Sequence, residues 1–63
     1  MVYIENEGAL FRGLSRAWPE EVWSVEDKKW LPYSRNVPKD IGWGTVIPEN
    51  EADEMMERMA KRA

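Results

Sequence analysis

Neither cysteine nor histidine occurs anywhere in this sequence of 63 residues, and that double absence constrains the fold more than any other feature. Short chains bury a smaller fraction of their surface than large domains, and small proteins commonly offset this with disulfides or a structural metal. Disulfides need thiols, and tetrahedral zinc sites are built mainly from thiolates and imidazoles, so both staples are excluded. The core must then come from side-chain bulk, which this sequence supplies as rings: four Trp, two Tyr and one Phe. A second copy of the chain is the other way to complete so small a core, so a homodimer is expected.

The same absence removes chemistry. Ser–His and Cys–His nucleophile pairs cannot exist here. The densest run of carboxylates, Glu49, Glu51, Asp53 and Glu54, lacks the alternating acids and central glycine of a calcium loop. Acids at the start of a helix complement its dipole. Gly42-Trp43-Gly44 begins like a dinucleotide-binding loop, but the third glycine position is Ile47 and the segment leads into a strand. The adjacent Glu20 and Glu21 would point to opposite faces of a strand, which does not suit paired acid–base catalysis. The expectation is a non-enzyme with no metal and no cofactor.

Net charge is −3, and no block is basic enough to read as a nucleic-acid arm. The first eight residues, MVYIENEG, carry two acids and no basic residue, and their apolar run is too short for a signal peptide or a membrane span. The cytoplasm is the expected compartment, with no membrane association.

Period-two patterning runs from Ala9 to Ile47 and predicts one domain over residues 1–63, with a sheet at about 9–47. The stretch Ala9–Leu14 reads as a short strand in which Gly13 marks a bulge or a close backbone approach. Residues 15–19 read as a connection. Two runs, Glu20–Val25 and Trp30–Tyr33, flank a charged turn and predict a hairpin with Val25 opposite Trp30 and Trp23 opposite Pro32. Pro32 cannot donate a ladder hydrogen bond, which places its strand at an edge. A last short strand covers Trp43–Ile47. From Glu49 onward, Ala52, Met55, Met56, Met59, Ala60 and Ala63 form a stripe of helical period, which predicts an amphipathic helix at about 49–62. Acids lead it and Arg58, Lys61 and Arg62 close it, with Glu54–Arg58 and Glu57–Lys61 at i,i+4. The predicted fold class is α+β: a small three- or four-stranded antiparallel meander with one C-terminal amphipathic helix packed on the sheet.

Two surfaces carry the functional expectation. Rings interleaved with Arg and Lys suit either a core or a stacking platform for single-stranded nucleic acid. Methionines on a helix suit either sheet packing or an adaptable partner surface. The reading drawn from these is a small protein–protein interaction module: an accessory, adaptor or inhibitor protein with a protein partner. Trp18, Trp30, Tyr33, Arg35 and Met56 are its candidate contact residues. A weak single-stranded nucleic-acid binder using Trp18, Trp30 and Arg35 is the alternative.

Overall fold

A computed structural model describes residues 1–33 and 37–62. In chain order the elements are β1 (Val2–Asn6), β2 (Ala9–Ser15), β3 (Trp18–Ser24), β4 (Lys29–Pro32), β5 (Thr45–Ile47) and α1 (Glu49–Arg62). Every strand pairs antiparallel, and the strand order is β4-β3-β2-β1-β5. The fold is therefore α+β with one C-terminal helix, but its sheet has five strands rather than three or four.

The additional strand is β1, and its position explains why the pattern hides it. Strand β1 lies inside the sheet, between β2 and β5, and none of its side chains is exposed on either face. Ile4 is buried on one side, and its neighbours Val2, Tyr3 and Glu5 are all half-buried. Such a strand reads as a continuous apolar run and loses the alternation of a half-exposed one. Its link to β2 is a two-residue turn in which Glu7 and Gly8 have φ of 50° and 86°. Two positive φ values in succession match the twist of a tight hairpin. The Gly8 N–H also donates to Glu5 Oε2 at 2.8 Å.

Strands β2 to β4 form the expected meander and β1 extends it at its start, but the last strand departs from it. Strand β5 pairs with β1 at the far edge, Ile4 opposite Val46, so the connection from β4 must cross a face of the sheet. The link from β2 to β3 is also tighter than residues 15–19 suggested. Ser15 pairs with Trp18, so only Arg16 and Ala17 lie in the turn and Trp18 and Pro19 already belong to β3. Gly13 sits between two register shifts on this pair. A Cβ there would lie 2.8 Å from both Glu20 N and Pro19 Cα and closer still to the Trp18 carbonyl oxygen, which is the close approach its place in the strand implied.

The hairpin between β3 and β4 forms, with a different register. Trp23 lies opposite Trp30 and Ser24 opposite Lys29. Val25 therefore belongs to a four-residue turn and does not face Trp30, while Glu21 takes the place opposite Pro32. Local turn chemistry decides this. The Asp27 N–H donates to Ser24 Oγ at 3.1 Å, and Lys28 takes the left-handed conformation with φ 54°. The shift is by two positions, so Trp23, Trp30 and Pro32 still share a face. As expected, β4 is an edge strand.

Ile4 and Leu10, both fully buried, lie on opposite faces of the sheet. One face carries Ile4, Phe11 and Val22 beneath the crossing segment. The other carries Tyr3, Leu10, Arg12, Trp23 and Trp30. Helix α1 contacts β1, and Ala52 is its only buried residue among those described. Met55, Met56 and Met59 are half-buried, Ala60 is exposed, and Ala63 lies outside the described residues. The stripe is thus covered at its start and open towards its end.

Candidate functional site

The face shared by Tyr3, Arg12, Trp23 and Trp30 is internally satisfied. Trp23 and Trp30 pack edge-on with centroids 5.4 Å apart, and Tyr3 tilts against Trp30 at 6.1 Å. The Arg12 guanidinium lies 4.3 Å from the Trp30 ring centre and donates to Glu21 Oε1, its partner across the strands. Rings here do the work of a core at half-burial. Arg12 has its charge engaged twice, by a carboxylate and by a ring face.

The opposite face carries a different construction, built by the chain crossing from β4 to β5. Phe11 at its centre receives Tyr33 and Trp43, each edge-on with centroids 5.0 Å away. Lys39 reaches between them, its Nζ 4.4 Å from the Trp43 ring centre and 5.0 Å from that of Tyr33, and it donates to Tyr33 Oη. The Lys39 N–H donates to the Ala17 carbonyl at 2.9 Å. Arg16, in the turn between β2 and β3, donates through one nitrogen to the carbonyls of Asp40 (2.7 Å) and Trp43. On the far side the Gly44 N–H donates to Asn6 Oδ1 at 3.2 Å. Gly44 has φ 72°, and a Cβ there would meet Ile4 Cγ2 at 2.6 Å, so only glycine lets the chain pass so close.

These clamps fix a tight turn, Asp40-Ile41-Gly42-Trp43, closed by the Trp43 N–H on the Asp40 carbonyl at 3.0 Å. Ile41 stands at its tip, 94 % exposed. A shallow hollow of about 420 Å3 lies beside it, lined by Asn6, Glu7, Asp40, Gly42 and Trp43. A branched apolar side chain held fully in water on an anchored turn adds nothing to the core of its own chain. Turns are normally polar at the tip, so Ile41 is the candidate contact residue.

The residues singled out from the sequence do not converge. Trp18 is 43 % exposed at the start of β3. Trp30 is half-buried in the Arg12 cluster, and Tyr33 is half-buried against Phe11 on the other face. Met56 is half-buried on α1, and Arg35 lies outside the described residues. Sequence reasoning passed over Ile41 because it lies in the longest irregular stretch, where no period marks it. Its one signal is an aliphatic residue between Asp40 and Gly42, in a segment with no face to bury. Among the described residues no group of three or more carboxylates is placed to hold a metal ion. No described helix is long and apolar enough to cross a membrane.

Fold and surface together define an α+β protein of one small sheet, one helix and a presented apolar turn. Compared with known proteins, the chain matches no family model, no curated protein and no solved structure, so its reading rests on its own residues.

Proposed function

We propose that this protein is a small protein–protein interaction module without catalysis, an accessory, adaptor or inhibitor protein that engages its partner through the Ile41 turn. The observation carrying this is Ile41 itself, 94 % exposed on a turn whose carbonyls at Asp40 and Trp43 are both held by Arg16. An apolar anchor presented on a fixed backbone loses little freedom on binding, so more of its burial survives as affinity. Residues that dominate interfaces are those that fill a desolvated pocket on the partner. The nucleic-acid alternative would need Trp30, whose ring face is already occupied by Arg12, with that charge paired to Glu21.

The test has two stages. Protein retained from an extract of the source by the wild type is identified and purified, and its affinity is then measured by calorimetry against wild type and Ile41→Asp. A fully exposed side chain contributes little to stability, so the variant should melt within about 0.5 kcal/mol of wild type. Its affinity should fall by about thirtyfold or more, as for a central contact residue worth about 2 kcal/mol. Equal affinity of the two proteins would overturn the reading. So would retention of nucleic acid alone, recognised by binding that weakens steeply with salt.

A further inference from the structure

Among the described residues, the charges of α1 make no ion pair. Acids occupy its first half, with Glu51 and Glu54 exposed, and Arg58 and Arg62 stand exposed in its second half. The i,i+4 pairs that the sequence offers, Glu54–Arg58 and Glu57–Lys61, are not made. The one ion pair among the described residues is Arg12–Glu21 on the sheet. The open end of the helix also forms a notch of about 210 Å3 with the β1–β2 turn, lined by Gly8, Met55, Arg58, Met59 and Arg62. Two thioether side chains and two guanidiniums without a carboxylate on one flank suit a ligand that is both apolar and acidic.

The helix carries such a ligand itself. Glu51, Met55, Arg58 and Arg62 are spaced four, three and four residues apart, which aligns them in one seam along the helix. Two such seams laid antiparallel fall into self-complementary layers. Glu51 of each copy meets Arg62 of the other, and Met55 of each meets Arg58 of the other. Antiparallel pairing of identical surfaces is what a two-fold axis produces. Parallel pairing would instead set Glu51 against Glu51 and Arg62 against Arg62.

We infer that α1 is a self-association surface, whose occupant is the antiparallel α1 of a second copy of this chain. The helix has 14 residues, about 21 Å, so the contact is small and the dimer weak, favoured by low salt and high concentration. This surface is distinct from the Ile41 turn, so each proposal fails or stands without the other.

Sedimentation equilibrium of the full chain from micromolar to millimolar concentration, at low salt, tests it with two charge reversals at exposed positions. Glu51→Arg sets two positive side chains against each other in both end layers, and Arg62→Glu sets two negative ones there. Each variant alone should therefore lose the dimer, its association constant falling by about tenfold or more. Mixed together, the two variants set opposite charges in both end layers, the positive side chains all on one copy and the negative ones all on the other. A heterodimer should then form from two proteins that are each monomeric. Circular dichroism shows whether each variant is folded. If a reversal unfolds, the neutral Arg62→Gln replaces it and should weaken the wild-type dimer. A wild type that remains a 7.4 kDa monomer throughout would overturn the inference and leave the notch to an acidic apolar segment of another protein. Reversals that leave the dimer intact, or folded single variants that fail to associate when mixed, would overturn it as well.

Discussion

Gly13 shows how much one residue can decide. It lies on the second strand where the register shifts twice, and the atoms a Cβ would strike are all backbone: the Trp18 oxygen, Glu20 N and Pro19 Cα. Backbone in a paired strand cannot rotate away as a side chain can, so Gly13→Ala must displace β3. Overpacking of that kind costs about 1–3 kcal/mol. For a domain of this size each kcal/mol lowers Tm by roughly 4–8 °C. Gly42→Ala is the control, because a Cβ at Gly42 meets nothing within 4 Å and its φ is not positive. Thermal melts should separate the two variants clearly. Equal melting temperatures would mean that the strands slide past one another without cost.

At the scale of the element, α1 has an unequal hold on the sheet. A helix of this length is marginal alone in water, so its persistence depends on the face it buries. That face is narrow. Ala52 is fully buried, whereas Met55, Met56 and Met59 are half-buried. Ala52→Asp puts an unpaired carboxylate where no water reaches and should detach the helix, lowering helical ellipticity and stability together. Met59→Asp leaves its carboxylate within reach of solvent and should cost markedly less. Circular dichroism melts at micromolar concentration, where self-association is minimal, compare the two. A reversed order would show that the open end of the stripe carries the packing.

For the whole molecule, the crossing from β4 to β5 is the decisive connection, and Arg16 ties it down. One guanidinium nitrogen spans 24 residues to the Asp40 carbonyl and 27 to that of Trp43. Charge-assisted hydrogen bonds contribute about 1.5–3 kcal/mol. Arg16→Met keeps the apolar stem but removes both bonds. It should loosen the segment that covers Phe11 while leaving the β3–β4 hairpin in place. Amide exchange should then quicken at Trp43 and Gly44, whose N–H groups bond to the Asp40 carbonyl and to Asn6. Exchange at Val22 and Leu31 should change little. Uniformly faster exchange would show that the segment and the sheet unfold as one unit, and unchanged exchange that Arg16 is dispensable.

The sequence by itself determined the elements whose signals are local. The methionine stripe and its flanking charges mark α1, Pro32 marks an edge, Gly13 marks a close approach, and the two tryptophan runs mark a hairpin. Each depends on steric or solvation preferences within a few residues, which the chain carries wherever it folds. Tertiary structure alone decided the rest. Strand β1 hides its alternation because cover on both faces removes the polar side that alternation needs. The hairpin register followed the Ser24 and Lys28 turn chemistry, where two registers two positions apart kept the same face and the pattern could not choose. The Ile41 turn was illegible because its placement is set by Arg16 and Asn6, which hold the Asp40 and Trp43 carbonyls and the Gly44 N–H. Those residues are distant in sequence, and they meet only because β5 returns to pair with β1.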